Sequence, residues 1–367
     1  MNHYPIRHES SDPDSFYRQE LIDRVVTAIE CCAQRGWTPA DLRHEFTAVI
    51  EPILFEALPE IAYSCPAEMY ALWIQDTQPQ RRKAPTIKQL ENMLRRLPHL
   101  TPLSDWSSLS QENTLEPYDL DIFTPEQSKA HHRITALLKK AESTLFPAEA
   151  DALILKAETL RQQYRIESLL LDSSAGEPPQ QGTEIISARV YIQGPWVRHQ
   201  FRLLSSIARV HSCETLLITK SGITTVFGVR DDVAHIVDLF PSLNRQRGHF
   251  MLSSPGAQEA QMNGQASSYR RSFMLSYASR ISELLQQAKH DALQDLEEFA
   301  PLAHNTIVPV IQQRSEHSQV AIKKVFPNTK QMTFSSRNAR GHEDGFHAAN
   351  KSHLGGESTA LGDSAPF

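Results

Sequence analysis

Apolar positions recur every three to four residues over most of the N-terminal hundred residues, which predicts helices. Leu21, Ile22, Val25, Val26, Ile29 and Cys32 share one such face, and Gly36 stands where that helix would need a C-terminal cap. Thr38-Pro39-Ala40-Asp41 then supplies a capping hydroxyl, a proline at the first helical position and a carboxylate at the third. Leu42, Phe46, Val49 and Ile50 continue on one face. After a basic stretch from Gln78 to Lys83, a short helix is predicted through Ile87, Leu90, Met93 and Leu94. Residues 98–123, rich in Pro, Ser and Asp, read as a connection.

A second capping pattern, Thr124-Pro125-Glu126-Gln127, opens a stripe of Ala130, Ile134, Leu137, Leu138 and Ala141. Ser143-Thr144-Leu145-Phe146 interrupts it. Pro147 restarts a helix with Leu153, Ile154, Ala157, Leu160 and Tyr164 on one side. Two helices with so short a link predict an antiparallel hairpin. From Glu126 to Glu167 its charges are mixed, seven Lys/Arg against six Asp/Glu, which suits a packed hairpin better than a one-signed recognition helix.

Beyond Asp172–Gly182, a linker by composition, the period changes. Ile185–Ile192, Thr215–Thr219 and Thr224–Val229 read as strands, the last two joined at Lys220-Ser221-Gly222. Pro195–Val210 reads as a helix burying Val197, Phe201, Leu204 and Ala208. Asp231 and Asp232 are expected to cap a helix through Val233, Ile236, Val237 and Phe240. Residues 253–267 read as a flexible insert, followed by a long helix over Ser268–Phe299. Thr306–Ile311 is expected as a last strand, at an edge because Pro309 lacks a donor.

The expected fold is therefore α+β: a helical N-terminal region with an αα-hairpin, then a small antiparallel or mixed sheet packed with helices, and a mostly flexible C-terminal tail. The expected segments are a disordered N-terminus (1–15), a helical region (16–100), the αα-hairpin domain (124–171), the α+β domain (184–327), and a polar tail (328–367) holding a small-residue helix.

Composition narrows the function classes. A formal charge of −6 argues against a wholly basic, nucleic-acid-coated surface while allowing a local basic patch. The four cysteines, Cys31, Cys32, Cys65 and Cys213, make neither a disulfide ladder nor a metal pair, as expected of thiols in a reducing cytosol. With no apolar run approaching the ~20 residues of a membrane span, a soluble cytoplasmic protein without membrane contact is expected. His44-Glu45 has Ala48 where a zinc protease needs its second histidine, and His211-x-Cys213 lacks the deaminase Cys pair. Phosphate-loop, dinucleotide and nucleophile-elbow motifs are also missing. No cofactor and no metal are expected, and no residue is assigned a catalytic role.

The tail segment GHEDGFHAANKSHLGG, from Gly341 to Gly356, gathers His342, His347 and His353. Helical spacing does not converge these histidines on one ion, whereas Gly341, Gly345, Ala348, Ser352 and Gly355 fall within about 40° of one line. That order predicts a segment packing closely against the body or a partner.

The binding candidates are arginines. Arg198, Arg202 and Arg209 fall within about 40° of one another on the 195–210 helix. With Arg270, Arg271 and Arg280 they could form a phosphate-reading surface. A solvated face whose Arg stems cover apolar neighbours accounts for the same pattern, so both readings stand. Two functions follow. One is a non-enzymatic protein that binds a macromolecule, nucleic acid or protein. The other is a hydrolase-like enzyme with a site in the α+β domain near Asp231, Asp232 and His235.

The string Arg133-Ile134-x-x-Leu137-Leu138-x-Lys140-Ala141-Glu142-Ser143-Thr144-x-x-Pro147-x-Glu149-Ala150-Asp151-Ala152 is long and specific. By it the sequence resembles a family of uncharacterised actinobacterial and phage proteins. Arg35-Gly36-Trp37-Thr38-Pro39-Ala40-Asp41-Leu42, Phe227-Gly228 with Asp232 and Leu239-Phe240, and Arg270-Arg271-Ser272-Phe273-Met274-Leu275 extend it. The resemblance implies a helical-hairpin domain of unknown function followed by an α+β domain of unknown function. It implies no activity.

Overall fold

The structure is a computed structural model, and it describes residues 13–78, 84–103 and 185–352, Leu354, and individual positions between 133 and 163. Two compact units divide the chain, Met1–Gln111 and Glu112–Phe367.

In the first unit the helices are α1 (Pro13–Gln34), α2 (Pro39–Phe46), α3 (Glu51–Glu56), α4 (Leu58–Ser64), α5 (Ala67–Asp76) and α6 (Ile87–Arg96). The periodic face of α1 is the buried one, with Leu21, Val25, Ile29 and Cys32 sealed in the core. Gly36 has φ +89°, which lets the chain reverse so that the Trp37 amide donates to the Cys32 carbonyl at 3.0 Å. The predicted capping box at α2 forms: the Asp41 amide donates to Thr38 Oγ1, and the Asp41 carboxylate accepts from the Thr38 amide at 2.8 Å. Trp37 and Trp73 are fully buried, and the Trp73 indole donates to the Trp37 carbonyl at 3.2 Å.

The second unit is α+β. Its strands are β1 (Ile185–Tyr191), β2 (Glu214–Ile218) and β3 (Ile223–Val229), antiparallel in the order β1-β3-β2. The helices are α7 (Val197–Val210), α8 (Arg230–Ser253), α9 (Pro255–Met262), α10 (Ala266–Phe299), α11 (Pro301–Val325) and α12 (Ala339–Asn350). Gly222, at φ +75°, closes the predicted β2–β3 hairpin, where the Gly222 amide donates to the Ile218 carbonyl. Central β3 is buried at every position because α8 packs on β1 and β3 while α11 packs on all three strands. The apolar face of α10 (Phe273, Tyr277, Ile281, Leu285) joins α7, α8 and the sheet in one core, and Ile134 and Ala157 belong to the same cluster. The capping residues and turn of the predicted hairpin, and the linker 172–182, lie outside the described residues.

Four local expectations are corrected. Thr306–Ile311 is not an edge strand but part of α11, with Pro309 inside the helix. The buried positions Ile307, Arg314 and Ser318 are seven and eleven residues apart, a helical repeat too long to see in six residues. The insert at 253–267 contains α9, with Pro255 in its first turn and Ala260 buried. Helix α8 continues past Pro241 to Ser253. Its N-cap is Val229, and neither Asp231 nor Asp232 caps it. Asp232 is instead 2 % exposed and ion-paired at 3.5 Å with Arg314, itself 5 % exposed, from a helix some eighty residues on.

Removing one member of a buried pair strands the other charge. Arg314→Met is therefore expected to lower the unfolding free energy by about 3–5 kcal/mol. The double variant with Asp232→Leu should recover much of it, as read by urea denaturation.

Candidate functional site

The second unit carries an open groove of about 400 Å³. One wall is Arg202 of α7, and the floor is Leu275, Ser276 and Ser279 of α10. The other wall is the C-terminal segment: Met332, Phe334 and Ser336 from the connection before α12, and His342 from α12 itself. No carboxylate is among these lining residues.

Two anchors fix the C-terminal wall. Ser272 Oγ accepts from the Arg337 and Asn338 amides at 3.2 and 3.0 Å, holding the connection on α10. Asn338 then caps α12, its Oδ1 accepting from the Gly341 amide at 2.7 Å. The helix docks through its small residues, with Gly341, Gly345, Ala348 and Ala349 all buried. Three polar contacts fasten the rest: Tyr269 Oη donates to Asp344 at 2.8 Å, Arg280 Nε donates to Asn350 Oδ1 at 2.7 Å, and the Tyr277 and Ser352 hydroxyls meet at 2.6 Å.

The arginines singled out by sequence separate into two groups. Arg198, Arg202 and Arg209 do share one face of α7: Arg198 and Arg209 are exposed and Arg202 is half-buried in the groove wall. Arg198 lies over the Phe334 ring at 5.9 Å. Arg271 is exposed, its Nε donating to the Ser267 carbonyl. Arg280 belongs to the docking of α12, bonded to Asn350 and Glu283 and stacked over Phe346 at 4.8 Å. Arg270 is half-buried and does not line the groove.

Phe334 in the groove wall, and His199 beside it, were not legible as site residues. The His199 ring packs edge-on against Phe334 at 5.5 Å and against Trp196 at 5.7 Å. Burial, then the positive charges of Arg271, Arg198 and Arg247, hold its pKa below the ordinary histidine value. The unfolded chain therefore takes up this proton first as pH falls. The residue's contribution to stability is present above about pH 6.5 and declines as pH drops below it. Arg271→Gln is expected to move the His199 titration upward, as followed by NMR of the ring protons.

The predicted alternative site looks different. His235 packs against His211 with ring centroids 4.6 Å apart, while the Asp232 carboxylate faces Arg314. Among the described residues no group of three or more His, Cys, Asp or Glu is arranged to hold a metal. None of Asp231, Asp232 and His235 lines the groove. Among the described helices none is long and apolar enough to cross a membrane.

Comparison with known proteins points to a different stretch. Residues 129–168 match the model of a family described as "Protein of unknown function (DUF2786)". No curated protein and no solved structure matches the chain. The matched stretch coincides with the predicted hairpin, whose Ile134 and Ala157 enter the core of the second unit. Every residue lining the groove lies outside it.

Proposed function

We propose that this protein is a non-enzymatic binding protein whose second unit holds single-stranded nucleic acid along the α7–α12 groove. The observation that carries the reading is a groove with an arginine in one wall, an aromatic ring in the other and no carboxylate between. Arg198 and Arg209 extend that wall over about 16 Å of helix, a row of cations for successive phosphates. Phe334, flanked by Arg198 and His199, offers a ring on which a base can stack, and aromatic stacking next to arginine is the chemistry of sequence-tolerant single-strand binding. The overall charge of −6 fits a local track rather than a basic coat. The test is fluorescence anisotropy with a labelled single-stranded oligonucleotide, repeated with the duplex of the same sequence. Salt-sensitive binding that favours the single strand supports the reading. Equal or tighter binding of the duplex contradicts it.

The wider likeness to actinobacterial and phage proteins belongs with this proposal. It supports an architecture of hairpin plus α+β domain for the molecule and supplies no chemistry of its own.

A further inference from the structure

Trp196 stands at the N-cap of α7 with its backbone at φ 72° and ψ 29°, in the left-handed region. There the Cβ of an L-residue crowds the following carbonyl oxygen, so glycine or asparagine normally fills such a position. A helix N-cap is ordinarily extended, and Trp196 makes no side-chain cap bond. Its conformation is therefore unfavourable and gives the helix nothing in return.

The surrounding chain holds it in place. Gln200, 7 % exposed, donates from Nε2 to the Gln193 and Pro195 carbonyls at 2.9 and 3.0 Å, and its Oε1 accepts from Asn244 of α8 at 2.9 Å. Gly194, at φ +80°, completes the bend that leaves β1. The His199 and Gln200 amides both donate to the Trp196 carbonyl. A strained residue persists only where its neighbours overdetermine it, and such residues cluster at ligand sites.

The core does not use this indole. Among the described residues, the partly buried apolar side chains packed on the core of the second unit include its neighbour Val197 and not Trp196. The half-buried Trp196 instead leads towards the groove through rings. It meets His199 at 5.7 Å with the ring planes 88° apart, and His199 meets Phe334 of the groove wall at 5.5 Å. An edge-on contact of this kind covers at most one face of the indole. Arg198, exposed and 5.9 Å over the Phe334 ring, sets a cation beside this row.

We propose that Trp196 is a second base-stacking platform, taking the base of a nucleotide that has passed beyond Phe334. This rests on the nucleic-acid reading above and deepens it: the strand leaves the groove over Phe334 and His199 and makes its last contact at the bend between β1 and α7. An indole face accepts any base, so the platform adds affinity without sequence preference.

The test uses the full chain, a labelled single-stranded oligothymidylate and an abasic strand of the same length. Trp196→Gly should bind oligothymidylate roughly tenfold more weakly than wild type and bind the abasic strand equally well. It should unfold within about 2 °C of wild type or above it, because glycine relieves the left-handed strain. A larger fall in Tm, with both strands weakened together, shows a tryptophan that only shapes the fold and overturns the platform. Trp196→Phe keeps a ring and gives a second readout. Oligothymidylate should quench the intrinsic fluorescence of wild type, and that quench should vanish in Trp196→Phe while binding survives. Unchanged affinity in Trp196→Gly, or a quench that persists in Trp196→Phe, overturns the platform and leaves the groove reading intact. Failure of wild type to bind either strand overturns the groove reading and the platform with it.

Discussion

Replacing Gly345 by Val is expected to unseat α12 and lower the Tm by roughly 8 °C. A Cβ at this position would stand 2.3 Å from the Phe273 carbonyl oxygen and 3.0 Å from Phe273 C and Cα. One turn earlier, a Cβ on Gly341 would stand 2.5 Å from the Tyr269 carbonyl oxygen. Those atoms are backbone of the 34-residue helix α10 and cannot swing aside. Overpacking against backbone costs about 3 kcal/mol, more than the gain from removing a helical glycine, and for a unit of this size that corresponds to roughly 8 °C. Undocking would also release the Tyr269–Asp344, Arg280–Asn350 and Tyr277–Ser352 contacts together. Hydrogen exchange at 339–350 should rise in parallel. Gly248→Ala is the control, because nothing lies within 4 Å of its Cβ and it sits inside α8. It should leave the Tm unchanged or raise it slightly. Since His342 forms part of the groove wall from α12, the Gly345 variant should also bind oligonucleotide more weakly than the control.

The second large effect is electrostatic. Changing Arg198, Arg202 and Arg209 together to Glu is expected to weaken single-strand binding by at least about a hundredfold at low salt. Each phosphate contact to a single strand contributes about 0.7 to the slope of log K against log salt, so losing three should flatten the slope by about 2. Arg198 and Arg209 are exposed, so their reversal should leave the fold in place. Arg202 is half-buried, and burial followed by the charge of Arg209 already depresses its pKa. Arg202→Gln alone therefore separates a binding loss from a folding loss. Arg280 variants should act through stability, because that side chain is committed to Asn350 and Phe346.

What the sequence revealed and what it hid divide along physical lines. Periodicity over ten or more residues located α1, α7 and α10, because a helix that long must repeat its buried face. Capping at Thr38 and the turn at Gly222 were legible because their hydrogen bonds close within four residues. The Arg face of α7 was legible because angular position on a helix follows from spacing alone. Partners distant in sequence were not. Asp232 resembled a cap because Arg314 lies on another helix, and α11 resembled a strand because six residues cannot separate the two periods. Trp196 resembled the second residue of a helix, because a left-handed backbone is expected of glycine or asparagine and not of an indole. Phe334 lies in a segment with no period, and that segment is held on α10 by Ser272, far away in sequence.

The most direct measurement of the central claim is the salt dependence of single-strand binding by wild type and by the Arg198, Arg202 and Arg209 triple Glu variant, both confirmed folded. The account predicts a wild-type affinity that falls steeply with salt, and a variant that binds about a hundredfold more weakly with a slope flatter by about 2. Equal affinities and equal slopes for the two proteins would contradict it.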